Sequence, residues 1–154
     1  GGQSDRQSYI KEDSLRLAKE QNVPLVFVEN WPAVEFNPEK VTRGAFVASD
    51  MGFLVEYNVK VFARWWEDAL DPNDQDFFVE LCDELDVNPN EFAGRMSTSD
   101  IRERVKGAYK RGRKLRVFDT PMIVVGEERF WGAERIDAAE ARLKELGLAR
   151  PNWL

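Results

Sequence analysis

Histidine is absent from this chain of 154 residues, and cysteine occurs once, at Cys82. Without an imidazole, Ser/His/Asp and Cys/His nucleophile systems cannot be assembled within the chain, and most transition-metal sites lose their commonest ligand. No catalytic and no metal-ligating residue is therefore assigned. A single thiol cannot close an intrachain disulfide, and CxxC pairs, paired zinc ligands and a resolving thiol are all lacking. That cysteine usage fits a reducing compartment, so a cytoplasmic location is expected. No apolar run reaches membrane-spanning length, and the opening "GGQSDRQSY" has neither a charged n-region nor an apolar h-region. Membrane association is accordingly not expected. A broad basic footprint is lacking too, since the net charge is −6. Nucleic acid is not an expected partner. The Arg and Lys cluster between Arg102 and Arg116 reads as a solvated helix face followed by a basic loop.

What the chain does contain is apolar material for one core: 43% of its residues are hydrophobic and 12% aromatic. At this length that predicts a single domain over residues 1–154. "YIKEDSLRLAKEQ" spaces Ile10, Leu15 and Leu17 among charges and stops before Val23-Pro24, which predicts a short surface helix. Leu25 to Val28 is strand-like in composition, but prolines at 24, 32 and 38 break its surroundings into an extended passage.

From Glu39 to Leu70 the pattern turns helical. Val41, Ala45 and Ala48, then Val55, Val59, Phe62 and Trp66, recur at spacings of three, four and seven, with Gly52 as a candidate break and Asp71-Pro72 as the end. "NDQDFFVELCDELDV" puts Phe77, Phe78, Leu81, Cys82 and Leu85 on one face, which makes Cys82 a core residue. "NPNEF" predicts a helical turn. "STSDIRERVKGAYKRG" predicts a helix with Ser97 and Asp100 in capping-box spacing and Gly112 as its stop. Met122 to Val125, apolar on both faces, is a buried strand, turned by Gly126-Glu127 into "ERFWG" as hairpin partner. A last helix is expected from Ala133 to Leu146, with Ile136, Ala139, Leu143 and Leu146 inward and Gly147 as its end. A proline at the mouth of the most apolar strand suggests a backbone that serves something besides the sheet.

These motifs carry a family resemblance. "VFDTPMIVVGEERFWGAERIDAAEARL" resembles the C-terminal half of thioredoxin-fold proteins with a helical insertion: 2-hydroxychromene-2-carboxylate isomerases, kappa-class glutathione transferases and the more remote DsbA-like oxidoreductases. "WPAVEFNPEKVTRGAFVA", "VFARWWEDALDPND" and "FWGAER" are similar to further stretches of that family, and the likeness covers about residues 8–146. It implies an α/β protein: an incomplete thioredoxin-like (DsbA-like) fold, with a C-terminal β-hairpin plus helix at 114–150 and a large all-helical insertion at 39–113.

The resemblance also implies a site. Thr120-Pro121 falls where the family has a cis-proline, with the backbone of the preceding residue pairing with the cysteinyl part of glutathione or with a peptide. Gly132, Ala133 and Glu134 fall at a helix start that holds the γ-glutamyl end, Arg135 supports that turn, and Asn37 lies near the substrate. Two positions depart from the pattern: Asp119 stands where members usually have Gly, and Glu134 where they have Asp. The family's opening strand, its Ser-Pro-Tyr-Ser or Cys-x-x-Cys loop, and the helix and strand that follow have no counterpart before Gln3. A lone hairpin is marginal in water, so three completions are open: a longer chain of which this is a fragment, Leu25–Val28 as a substitute strand, or, as the expected one, strands from a partner chain or second copy.

Two functions follow from the resemblance. One is a glutathione-dependent isomerase or transferase with glutathione as cofactor and an aromatic substrate beside Asn37 and Trp65-Trp66. The alternative is a non-catalytic ligand- or partner-binding protein using the same groove. Thiol–disulfide exchange is a third and weaker option, since it needs an exposed reactive cysteine.

Overall fold

The computed structural model describes residues 2–29, 31 and 38–148. They fall into two units, Gly1–Val105 and Lys106–Leu154.

The first unit opens with helix α1, Gly2–Glu20, which begins well before the expected Tyr9. Its apolar residues Tyr9, Ile10, Leu15 and Leu17 all stay exposed. Asn22, at φ 53°, takes the left-handed position that ends the helix, with Asn22 N donating to the Lys19 carbonyl and Val23 N to that of Ala18. The stop thus comes from Asn22 rather than from Pro24. Leu25–Val28 forms no strand, in keeping with its proline-broken surroundings, and so does not supply the substitute strand. Val26 N donates to the Trp66 carbonyl at 2.6 Å, and the Phe27 ring meets Trp66 edge-on at 5.7 Å. This segment spends its apolar side chains on docking to a helix end, which leaves no ladder for a sheet.

Helix α2, Pro38–Met51, starts with proline at its first position, where the missing N–H costs nothing, and breaks at Gly52. Helix α3, Leu54–Trp66, ends five residues before the expected Asp71. The larger correction concerns its faces. Tyr57, Val61, Arg64 and Trp65 are buried, whereas Val55, Val59 and Phe62 are 71%, 63% and 62% exposed. Both sets repeat at helical spacing, so periodicity alone cannot choose between them. The choice is made by fit. Tyr57 fills the space left by the missing Cβ of Gly44 and donates its hydroxyl to the Val41 carbonyl at 2.9 Å. Arg64 reaches Glu80 at 2.9 Å and Glu84 at 2.6 Å, and Lys60 reaches Glu84 at 2.7 Å. Lys60, then Arg64, holds the Glu84 carboxyl below its ordinary range.

Helix α4, Gln75–Glu84, presents Phe77, Leu81 and Cys82 to the core as its pattern predicts. The expected turn at "NPNEF" is a helix of two turns, α5, Pro89–Met96, capped by Asn88, whose side chain accepts from Asn90 N and Glu91 N. Val47, Ala48, Tyr57, Leu81, Phe92 and Ile101 meet in one cluster with these residues.

Helix α6, Ser99–Lys114, differs from expectation at both ends. Ser97 turns back to donate to the Ala93 carbonyl, and Thr98 accepts from Ile101 N instead, so the capping box does not form. Gly112 lies inside the helix. The left-handed stop is Arg116, φ 56°, with Val117 N donating to the Gly112 carbonyl at 2.9 Å. The basic residues of this helix's last turns are exposed, as a solvated face requires.

In the second unit, strands β1, Met122–Val125, and β2, Glu128–Trp131, pair antiparallel with Met122 opposite Trp131 and Val125 opposite Glu128. Gly126-Glu127 makes the expected turn. A one-turn 3-10 helix, Ala133–Arg135, precedes α7, Ile136–Glu145, so the last helix is split rather than continuous from Ala133. Helix α7 lies over the face that carries Val125 and Glu128: Ala139 and Val125 are buried, and Arg142 pairs with Glu128 at 2.6 Å. Of the expected inward residues, Ile136 and Leu146 are largely exposed. Two strands of four residues are too small a platform for the whole helix face.

Replacing Gly44 with Ala would set a Cβ on the Tyr57 hydroxyl and 2.7 Å from its ring carbon Cζ. Gly44→Ala is expected to lose about 1–3 kcal/mol of stability in urea unfolding. Combined with Tyr57→Phe it should lose less than the sum of the two single changes, because both act on one contact. Strict additivity would remove this contact as the determinant of the α3 face.

Candidate functional site

The open end of the hairpin gathers most of the residues that the sequence singles out. Residues 116–121 run back along β2, held at two points. Arg129 Nη1 donates to the Arg116 carbonyl at 2.8 Å, and the Phe118 ring meets Trp131 edge-on with centroids 5.2 Å apart. Arg129 and Trp131 are two residues apart on β2 and so share a face. Phe118 and Trp131 remain 67% and 48% exposed, an aromatic pair open to solvent.

Pro121 follows. The Thr120–Pro121 peptide bond is cis, and the Pro121 carbonyl accepts from Gly132 N at 3.0 Å. That bond extends the ladder by one step past Met122 and Trp131, and joins the Thr120-Pro121 segment to the turn beyond β2. Gly132 has φ 96° and ψ 156°, a region essentially confined to glycine. Its carbonyl accepts from Arg135 N at 3.2 Å, closing the turn, and the Glu134 carboxylate folds back over it where a side chain would otherwise stand. Thr120, Pro121, Gly132, Ala133 and Glu134 are thus brought together by backbone hydrogen bonds. Asn37 lies outside the described residues.

Asp119 does something its sequence position alone does not reveal. Its Oδ1 accepts from Thr120 N at 2.8 Å. The amide before Pro121 is therefore engaged by the neighbouring carboxylate, while the Thr120 carbonyl has no hydrogen-bond partner among the described residues. The rim thus offers a backbone acceptor at Thr120, a carboxylate at Glu134 and an apolar aromatic wall. Arg129 and Trp131, which also face this side, carry a sequence signal in their alternation along β2.

Elsewhere the core claims its residues. Cys82 is 2% exposed, and burial, then the Asp83 charge, pushes its thiol up from the ordinary range. The thiolate needed for disulfide exchange is disfavoured there. Trp65 is a core residue too. Trp66 is half-buried and lines an open, mostly apolar cavity of about 490 Å³ with Pro24, Val55, Val59 and Phe62. Among the described residues no group of three or more acidic or cysteine side chains could hold a metal ion, and no helix is long and apolar enough to cross a membrane.

A family model described as DSBA-like thioredoxin domain matches residues 3–144. The 2-hydroxychromene-2-carboxylate isomerase of Pseudomonas sp. (strain C18) is 25% identical over 128 residues, which covers 83% of this chain and 58% of that protein. The enzyme of the same name from Pseudomonas putida is 23% identical over 138 residues, 90% of this chain and 66% of that one. The solved structure of a selenomethionine 2-hydroxychromene-2-carboxylate isomerase superposes with a TM-score of 0.79 at 22% identity, over 94% of this chain and 68% of its own. The chain spans about three-fifths to two-thirds of the length of the curated relatives it matches. At such identity the solved structure establishes likeness of fold.

Gly132→Ala is expected to cost about 1–3 kcal/mol, because the substituted residue must hold a glycine-only conformation. The loss would be read from Trp fluorescence during urea unfolding, and an unchanged midpoint would contradict the turn geometry. Cys82 should stay unreactive toward a thiol reagent in the native protein at mildly alkaline pH and react fully in urea. Rapid native labelling would contradict its burial.

Proposed function

From the premise that the chain belongs to the DSBA-like thioredoxin domain family, we propose that it acts in glutathione-dependent isomerisation of the 2-hydroxychromene-2-carboxylate type, with glutathione held at the hairpin mouth. The observation that carries this reading is the bond from Gly132 N to the Pro121 carbonyl, which ties the backbone next to Thr120 to the turn that bears Glu134. The donor set suits glutathione. The Thr120 carbonyl can accept from the cysteinyl amide, the Glu134 carboxylate can pair with the γ-glutamyl ammonium, and Ala133 adds backbone at the helix start. When bound, glutathione supplies a thiol nucleophile. The chain's own part is to hold and orient it; the family resemblance puts Asn37 near the aromatic substrate.

Asp119 opposes tight binding, since its carboxylate already takes the Thr120 amide and adds negative charge beside an anionic ligand. Strands from a second copy or a partner chain would cover the unpaired edges of β1 and β2 and complete the site. A reducing, cytoplasmic setting suits a thiol cofactor. The second reading, a binding module without turnover, is favoured by that same Asp119 contact.

Asp119→Ala should tighten glutathione binding about two- to tenfold, the value of one freed backbone hydrogen bond. Glu134→Gln should weaken it while leaving the affinity for Cys-Gly, which lacks the γ-glutamyl group, unchanged. Both are measured by calorimetric titration. Absence of saturable glutathione binding by both the wild-type chain and Asp119→Ala would refute the cofactor assignment, and binding without isomerase turnover would favour the module.

A further inference from the structure

Helix α3 is apolar on two sides, and the core takes only one of them. Tyr57, Val61 and Trp65 are buried, while Val55, Val59 and Phe62 stand largely exposed on the other side, with the half-buried Trp66 at the end of their row. A surface helix normally carries one apolar stripe and turns polar residues outward. The outward stripe of α3 instead recurs at steps of four, three and four residues, the spacing by which one helix packs along another.

The surface around the stripe has the matching shape. In such packing each apolar side chain enters a hole made by four residues of the facing helix. The open cavity of about 490 Å³ along α3 is lined by two such sets in succession, Val55, Asn58, Val59 and Phe62, then Val59, Phe62, Ala63 and Trp66. Two holes set one turn apart suit a helix that offers two apolar side chains three residues apart. Helix α3 itself offers that pair, Val59 and Phe62.

We propose that a second copy of this chain covers the stripe, the two α3 helices packing antiparallel about a two-fold axis between Lys60 and Val61. The partner's Phe62 enters the first hole and the partner's Val59 the second, and the symmetry repeats both contacts, so the face is complementary to itself. Charge fits the same register, which brings Glu67 of each copy beside the partner's Leu54. Glu67 is exposed, and the first turn of α3 has no side-chain cap on its amides. Each carboxylate thus falls at an uncapped helix N-terminus, where negative charge is favourable. Glu56 comes opposite the partner's Trp65, and Lys60 is engaged with Glu84 of its own chain, so no like charges meet across the seam. Four principal side chains per copy make an interface short of the roughly 800 Å² per partner of a standard one, and a dissociation constant on the order of 100 μM is expected. The surface lies wholly within the helical unit, so the pairing stands whether or not glutathione binds at the hairpin.

The test is sedimentation equilibrium of the full chain at concentrations spanning about tenfold either side of that value, joined to carbon-resolved NMR of the Val55, Val59 and Ala63 methyl groups. A reversible monomer–dimer equilibrium is expected, with these resonances moving as dimer forms and those of Ile123 and Val124 in β1 unchanged. Val59→Asp should weaken dimerisation at least about tenfold, because it places a carboxylate in the apolar seam twice over. Glu67→Gln should weaken it about threefold, since the symmetric pair loses one favourable end contact on each copy. Phe62→Ser is measured alongside and should act in the same direction as Val59→Asp, which keeps the test decisive should one of the two fail to fold. A monomer throughout, assemblies larger than a dimer, undiminished dimerisation in the folded Val59→Asp or Phe62→Ser variant, or methyl shifts in β1 instead of α3 would each overturn the proposal, and an unchanged constant for Glu67→Gln would overturn the antiparallel register.

Discussion

The helical unit is organised by the contact of Tyr57 with the bare backbone of Gly44. Helix α3 carries two apolar stripes, and only the one headed by Tyr57 can be drawn against α2, because only there does the opposing helix lack a side chain. Once Tyr57 is seated, Val61 and Trp65 follow it into the core by helical periodicity. Arg64 is carried in with them and must find partners, since a buried guanidinium without counter-charge is prohibitive. Glu80 and Glu84 of α4 supply them, which ties α4 to α3. The second stripe, Val55, Val59 and Phe62, is left outside as a consequence.

The hairpin unit follows a different logic, in which backbone groups do most of the positioning. Four residue pairs fix the register, and the bond between Gly132 N and the Pro121 carbonyl extends it to the candidate site residues. Phe118 and Arg129 then pin the incoming segment by one ring contact and one side-chain bond. A turn positioned this way depends little on which side chains surround it.

The strands were legible in the sequence because a short, two-sided apolar run followed by Gly-Glu has few alternatives. The core of α4 was legible because Phe77, Leu81 and Cys82 form its one apolar face. Helix ends were harder. Three of them use Asn22, Asp86 and Arg116 in the left-handed position, where sequence rules look for glycine; of the two glycines expected as stops, Gly147 takes that position after α7, whereas Gly112 lies inside α6. The α3 face was misread since two stripes share one period and only a partner decides between them. In the candidate site, Thr120, Pro121, Gly132, Ala133 and Glu134 were found through family likeness. The Asp119 contact was not, because it does not depend on a pattern along the chain.

The Asp119 contact has a bearing on selectivity. A carboxylate tethered one residue from the amide it occupies competes at an effective concentration far above that of any dissolved ligand. On the proposed reading, a fragment that offers only a carbonyl to the Thr120 amide would not displace it, whereas a guest that also engages the Glu134 side of the rim would gain enough elsewhere to do so. The hairpin mouth would then select for ligand length, favouring molecules that span it over those that touch one edge.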